Sequence, residues 1–357
     1  MNRPAQDLRF CTSRDGTRIA FAVCGEGPAL IRAGHSFSHL EHEWDCVVWR
    51  PFLDVLCRQH TLVRYDMRGT GLSDRDGLEF TFERYVEDLE AVVTATGLKH
   101  FSMLGMTGGG ALAVTYSVRH PQQVSRLVLF GAYLLGRTAR SRTKEQREET
   151  ELVLRLIELG WGQDSPTFQQ LFTYQYLPEG SAEQLRAFND LMRQSAFPNH
   201  AALLLRAWFG ADIANLAPLV RTPTLVLHAC GDLRVPYDQG RALAASIPGA
   251  RFVSLDSRNH IVLDREPAWQ QLVAELDAFL LAPAPVARAP SLDGLTTREQ
   301  AVMGVLLMGL NTPDMADRLG ISEKTLRNHL STIYSKLGVS NRAQAIIFAR
   351  DAGLMKS

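Results

Sequence analysis

Charge of one sign is what this chain lacks: 38 lysines and arginines are matched by 38 aspartates and glutamates over 357 residues. No whole-chain field drives it toward nucleic acid or membrane, so a surface for either must be local. Long apolar runs are missing too. None approaches membrane-spanning length, and the opening MNRPAQDLRF holds no hydrophobic signal core. The expectation is a cytoplasmic protein with no membrane partner. Cysteine is scarce: Cys11, Cys24, Cys46, Cys57 and Cys230 are odd in number and show no C-x-x-C spacing. That argues against a disulfide framework and a zinc site and fits a reducing compartment. No metal and no cofactor is expected. A disorder signature is absent as well, since 46% of residues are apolar and 21% charged.

What is present is organised in two parts. The stretch LLAPAPVARAPSLDG alternates alanine and proline, resists helix and favours extended backbone. It places a linker at 281–293 between a first domain, 1–280, and a second, 294–357. In the first, apolar runs at Ala29–Arg32, Thr61–Tyr65, Phe101–Leu104, Arg126–Phe130, Thr224–His228 and Arg251–Leu255 read as strands. Helical patterns at Phe82–Thr96 and Gly109–Arg119 lie among them. Continuous apolar strands separated by helices predict an α/β fold with a mostly parallel sheet covered on both faces. Residues 7–24 read instead as an antiparallel hairpin turning at Asp15-Gly16. A segment at about 135–215 breaks the alternation: it looks all-helical and carries Trp161, Phe168, Phe172, Tyr174, Tyr176, Phe188, Trp208 and Phe209.

The second domain reads as four short helices. Thr296 with Glu299 makes a capping box, Thr312 can cap the second helix with Pro313 behind it, Gly320 ends that helix, and Ser322 caps the third. Leu326, Leu330, Ile333 and Leu337 form one apolar stripe at helical spacing, while Lys324, Arg327, Asn328, His329 and Ser331 lie off it. That is the composition a DNA recognition helix needs. From residue 291 onward eight Lys and Arg face six Asp and Glu, so electrostatics adds little and the pattern carries the reading. Leu295-Thr296-x-Arg298-Glu299, Gly309, Ala316, Leu319-Gly320-Ile321-Ser322, Thr325, His329 and Lys336-Leu337-Gly338-Val339 together make the segment resemble the LuxR-type helix-turn-helix domain. The resemblance implies double-stranded DNA as partner, with Arg327, Asn328 and Ser331 facing bases and Lys324, Thr325 and Lys336 approaching phosphates. It also implies a homodimer. On the last helix Ala345, Ile346 and Ala349 offer a small-residue face that either pairs two modules or closes the module's own core.

Four stretches of the first domain fall in a telling order. His35-Ser36-Phe37-Ser38 follows a strand, and Asp66-Met67-Arg68-Gly69-Thr70-Gly71-Leu72-Ser73 forms a glycine-rich loop. Gly105-Met106-Thr107-Gly108-Gly109 sits on a strand-to-helix turn. Gly231-Asp232 and Asn259-His260 each follow a strand. The set resembles the α/β-hydrolase family, and the resemblance implies a triad location at Thr107, Asp232 and His260 in that chain order. It implies an oxyanion or ligand-binding group made from the backbone of Phe37 and Gly108 with Met106 and Ser36 beside them. Asp66 and Arg68 read as loop-organising, and His39, His42 and His228 as packed or surface residues.

Threonine at the nucleophile position is the departure that matters. A β-branched residue suits the strained elbow poorly, and its methyl restricts χ1. The combined expectation is a DNA-binding transcriptional regulator whose hydrolase-like domain senses a small molecule beside Thr107. The alternative is an esterase-type hydrolase that degrades its own ligand through Thr107, Asp232 and His260.

Overall fold

Among the described residues, eight short apolar strands form one sheet in the order β1-β2-β4-β3-β5-β6-β7-β8. The computed structural model describes residues 5–35, 37–161, 171–282, 295–337 and 342–351. β1 (Asp7–Thr12) and β2 (Arg18–Cys24) pair antiparallel across the Asp15-Gly16 turn, where Gly16 takes φ 92°. β2 also runs antiparallel to β4 (Thr61–Tyr65). From there all pairings are parallel, through β3 (Ala29–Arg32), β5 (Phe101–Met106), β6 (Val124–Phe130), β7 (Thr224–Ala229) and β8 (Arg251–Leu255). Every residue of β5 and β7 is buried, as strands covered on both faces require. The α/β fold expected from the sequence is the fold observed.

The helices that cover the sheet follow from local chemistry. Helix Phe82–Thr96 starts where the Thr81 side chain accepts the Arg84 N–H and stops at Gly97 in the left-handed region. Between these ends Tyr85, Val86, Leu89, Val92 and Val93 make the buried stripe. Each such side chain contributes about 1.5–3 kcal/mol when buried. One finding runs against the sequence reading: Cys24, ending β2, is disulfide-bonded to Cys57 on helix Arg50–Gln59. Their separation of 33 residues carries no local signal. After β6 the chain leaves the sheet as helices Arg137–Arg140, Lys144–Gly160, Ala182–Ser195 and Pro198–Gly210. These form the cap. Trp161, Phe172, Tyr176, Phe188, Trp208 and Phe209 are buried in it, Tyr174 is exposed, and Phe168 lies outside the described residues.

The chain divides into two compact units, Met1–Ala282 and Pro283–Ser357. In the second, helices Thr297–Leu307, Thr312–Leu319, Glu323–Leu337 and Arg342–Asp351 surround their own core. The Thr296–Glu299 capping box is formed, and Gly320 closes the second helix at φ 63°. The second cap sits one residue earlier than expected. Asn311, not Thr312, accepts the Asp314 N–H, because Asn311 keeps the extended backbone of a cap while Thr312 is already the first helical residue. Ala345 and Ala349 are fully buried in the module's core, so the small-residue face closes the module itself. Gly338 and Val339, like residues 283–293 of the linker, lie outside the described residues.

The glycine-rich loop ties the hairpin, the sheet and the cap together. Asp66 is fully buried, and one carboxylate oxygen accepts the N–H groups of Leu40 and Leu72. Burial pushes its carboxyl up to about 6 against the pull of those bonds. A Cβ on Gly71, which sits at φ 50°, would fall 2.0 Å from that carboxylate, so only glycine fits there. Arg68 is fully buried, donates through Nε and Nη2 to both oxygens of buried Asp88, and reaches Asp15 through Nη1. Both residues organise the loop and neither faces the cavities beside Thr107. Replacing Arg68 by leucine leaves Asp88 buried without its partner. Arg68→Leu should therefore lower unfolding free energy by about 3–5 kcal/mol in urea titration. A loss below about 1 kcal/mol would show that water already compensates Asp88.

Candidate functional site

The site begins where β5 ends. The strand runs out at Met106, and helix Gly109–Arg119 starts at once, leaving Thr107 and Gly108 to make the turn. Strand and helix approach so closely that a Cβ on Gly105 would sit 2.7 Å from the Gly109 carbonyl oxygen. Thr107 takes φ 50°, the left-handed region that a β-branched residue adopts only under constraint. The turn is held by the Thr107 N–H donating to the Phe130 carbonyl and by the Gly110 N–H donating to the Thr107 carbonyl. The elbow that suits a β-branched residue poorly holds threonine in the left-handed region all the same.

In that conformation the Thr107 hydroxyl lies 2.6 Å from Nε2 of His260, and Nδ1 of His260 lies 2.7 Å from Asp232 Oδ2. An ionised carboxylate only accepts, so with a neutral ring Nδ1 carries the proton and Nε2 is left to accept from the hydroxyl. Asp232 is fixed by its own loop, its Oδ1 taking the N–H groups of Arg234 and Val235. Burial works against its charge, but the His260 imidazole and these bonds outweigh it and hold its carboxyl below the usual range. His228, read from sequence as an ordinary residue, is buried 3.5 Å from Asp232 Oδ2 and is bonded through Nε2 to the Val235 carbonyl. Burial holds its ring toward the neutral form. The backbone N–H of His260 donates to the Tyr176 carbonyl, so the cap itself holds the imidazole in place.

The opposite wall comes from the loop after β3. Phe37 takes φ 67°, and among the described residues it and Thr107 are the two non-glycine residues at positive φ. Its ring packs 4.3 Å from Trp161 of the cap. His35 stacks on Trp49 and bonds Glu43 at 3.0 Å; Glu43 also receives Arg32 at 2.6 Å and Arg64. Burial opposes the charge of Glu43, yet Arg32, His35 and Arg64 hold its carboxyl well below the ordinary value. This buried cluster props the loop, and its members are too far apart in sequence to announce themselves. Ser36 lies outside the described residues. Neither Phe37 N–H nor Gly108 N–H has a protein acceptor among the described residues. Between these walls lies a mainly apolar cavity, lined by His35, Phe37, Met106, Thr107, Tyr176 and His260 together with Trp49, Phe188, Met192 and Ile261. Sequence reasoning missed Tyr176, whose aromatic neighbours gave no sign that its carbonyl would meet the triad. It also missed Arg234, two residues past Asp232.

The second site is the third helix of the C-terminal module. Lys324, Thr325, Arg327, Asn328 and Ser331 are all exposed along it, while Leu326 and Ile333 are buried beneath. Arg327 is held only by an exposed ion pair to Glu323. Lys336 donates to Glu299 at 2.7 Å, tying the third helix to the first. That bond and the Thr296 N–H hold the Glu299 carboxyl at about 2. Lys336 is thus committed within the module.

The backbone of the elbow yields a test. Thr107→Ala and Thr107→Gly lose the same hydroxyl, but only alanine keeps a Cβ in the left-handed region, which costs roughly 1–2 kcal/mol. Part of that is offset by the greater unfolded-state freedom of glycine, roughly 0.5–1 kcal/mol. The glycine variant should therefore be the more stable by about 1 kcal/mol in urea unfolding. The reverse order would mean that the elbow is not left-handed in solution.

Comparison with known proteins finds a family match for each unit of the chain. The family described as "alpha/beta hydrolase fold" matches residues 35–267, and that described as "Bacterial regulatory proteins, luxR family" matches residues 293–349. The pyrrolizixenacetamide deacetylase of Xenorhabdus hominickii is 23% identical over 272 residues, covering 74% of this chain and 95% of its own length. The putative carbamate hydrolase RutD of Klebsiella pneumoniae is 30% identical over 223 residues, covering 59% of this chain and 79% of its own. A hydrolase from Pseudomonas aeruginosa superposes with a TM-score of 0.64 at 24% identity, over 77% of this chain and 98% of that one. An esterase from Exiguobacterium antarcticum gives 0.63 at 19% identity, over 76% and 99%. Both structures share the fold of the first unit. No helix among the described residues is long and apolar enough to cross a membrane. The chain belongs to the α/β hydrolase fold family and carries, after that domain, a LuxR-type helix-turn-helix of the bacterial regulatory proteins.

Proposed function

We propose that this protein is a transcriptional regulator that binds double-stranded DNA through the helix Glu323–Leu337 and holds a small molecule in the capped cavity beside Thr107. The observation that carries the sensing half is the strain at the site. Thr107 and Phe37 are both in the left-handed region, on opposite walls of one cavity, and the N–H groups of Phe37 and Gly108 meet no protein acceptor among the described residues. Strained residues persist where the surroundings over-determine them, and they gather at ligand sites. Binding needs only that the cavity, the hydroxyl and the N–H groups fit a polar ligand atom. Efficient turnover needs more: hydroxyl, base and carbonyl carbon aligned together, where a misplacement of about 1 Å costs about 10²-fold. With the hydroxyl turned to His260, the threonine methyl is fixed as well, against the elbow or in the space for an acyl group.

On DNA the working unit is a homodimer in the cytoplasm, since one short helix covers too little of a major groove for tight specific binding. Arg327, Asn328 and Ser331 read bases, while Lys324 and Thr325 meet phosphates. A second reading, slow hydrolysis of the bound ligand, draws on the 2.6 Å and 2.7 Å contacts of the Thr107–His260–Asp232 series. Relatives bearing the names of a deacetylase and a carbamate hydrolase favour it too.

The DNA half is tested on the full chain by selecting bound duplexes from a random pool and measuring affinity for the enriched site. A two-fold site should emerge. The exposed Arg327–Glu323 pair is worth well under 1 kcal/mol and will yield to a base edge. Arg327→Ala should then weaken the selected site by about 1–3 kcal/mol and relax preference at one base position. Equal losses on selected and random duplexes would make Arg327 a phosphate contact, and no enrichment at all would remove the regulator reading.

A further inference from the structure

Thr107 borders a second cavity, on the side away from Phe37. Three arginines share its wall: Arg137 and Arg140 from the short helix after β6, and Arg234 from the loop that carries Asp232. Thr107, Gly108, Trp208 and Phe209 complete the lining that matters here. Three guanidinium groups around one small space repel one another, so their compensation has to be accounted for.

The protein supplies little of it. Arg137 pairs with Glu149 at 2.8 Å, but that carboxylate is two-thirds exposed, with a side-chain accessibility of 67%. Arg140 donates to a neutral acceptor, the Leu135 carbonyl. Arg234 is only 8% exposed, and its Nε donates to the Tyr176 hydroxyl, another neutral group. Its remaining nitrogens have no acceptor among the described residues, and its guanidinium lies over the rings of Tyr176, Phe209 and Phe172 at 5.1, 5.3 and 5.8 Å. Aromatic faces orient a cation and offset part of its desolvation, but they leave its charge in place. Asp232, nearest in sequence, is committed to His260. Trp208 in the same wall carries a buried indole N–H without an acceptor among the described residues. Burial and mutual repulsion both push the Arg137 and Arg140 guanidinium groups toward losing their protons.

The contrast within the same domain is sharp. Elsewhere Arg68 has the buried carboxylate of Asp88, and Arg32 and Arg64 share that of Glu43. At the second cavity the arginines converge, and no carboxylate lines it among the described residues. Buried cations without counter-charge are costly, and a forked donor array is the geometry that takes a carboxylate in two parallel bonds.

We infer that the second cavity receives a carboxylate belonging to the ligand, whose apolar body lies in the first cavity on the other side of Thr107. The ligand class is a small organic acid with an aromatic or aliphatic body. The inference rests on the sensing reading of the Thr107 site and narrows it to one chemical class.

The test is calorimetric titration of the full-length protein with phenylbutyrate and with its neutral isostere phenylbutyramide. The acid should bind at least about tenfold more tightly, the scale of a charge-assisted hydrogen bond. Arg140→Gln, at a half-exposed position, should erase most of that preference while leaving amide binding unchanged. Arg234→Gln should do the same, and circular dichroism with a urea midpoint will show whether this buried variant still folds. Equal binding of acid and amide to the wild type would overturn the carboxylate subsite and leave the sensing reading standing. A preference for the acid that survives both Arg140→Gln and Arg137→Gln would place the anion elsewhere and also overturn it. If neither compound binds up to millimolar concentration, the inference and the sensing reading fail together.

Discussion

One backbone conformation organises the hydrolase-fold domain: the left-handed turn at Thr107. Its geometry lifts the hydroxyl off the end of the central strand and aims it at His260, and it brings the following helix onto the sheet at glycine-only distance. A threonine in that region costs roughly 1–2 kcal/mol, so the surroundings must hold it there. They do so from three sides. Phe130 on the neighbouring strand takes its N–H, the helix takes its carbonyl, and the His260 ring takes its hydroxyl. His260 in turn hangs between Asp232 behind and the Tyr176 carbonyl above. Any movement of the cap at Tyr176 is therefore felt at the imidazole and the elbow. That is a physical reason for a ligand under the cap to alter this domain, with no need for a bond to be broken.

Buried charge is used in two different ways. In the glycine-rich loop and under the His35 loop, each buried arginine meets a buried carboxylate, and the result is a rigid frame for the site's two walls. Removing one partner would leave an uncompensated ion, so these pairs specify the geometry even where their net contribution is small. Beside Thr107, Arg234 is instead oriented by aromatic rings and Arg140 by a neutral acceptor, while Arg137 meets a largely exposed carboxylate. Orientation without neutralisation is what a binding surface needs before its ligand arrives.

Much of this was legible in the chain, for identifiable reasons. The strand series, the hairpin at Asp15-Gly16, and the helices Phe82–Thr96 and Gly109–Arg119 are local patterns, and the structure places them where the residues indicated. Thr107, Asp232 and His260 could be found because each follows a strand, and parallel strands bring their C-terminal ends to one edge of a sheet. What could not be read is non-local. Glu43 meets Arg32 and Arg64 across 11 and 21 residues, Cys24 meets Cys57 across 33, and the cap carbonyl of Tyr176 meets His260 through the tertiary fold alone. In the helix-turn-helix, the exposed reading face was visible as residues off an apolar stripe. The capture of Lys336 by Glu299, 37 residues away, was not. Ala345 and Ala349 show the limit of pattern reasoning, because a stripe of small residues suits a dimer contact and a tight core equally well, and here the core has it.

The central claim is that the Thr107 site binds without efficient turnover, and that claim can be met directly. The rates of full-length wild type and His260→Ala should be compared on a panel of short-chain aryl esters under saturating substrate. If Thr107 serves recognition, the two proteins hydrolyse every ester at indistinguishable rates close to background. Brisk turnover by the wild type that the alanine variant loses would contradict the account, and the Thr107–His260–Asp232 series would then be a working catalytic triad.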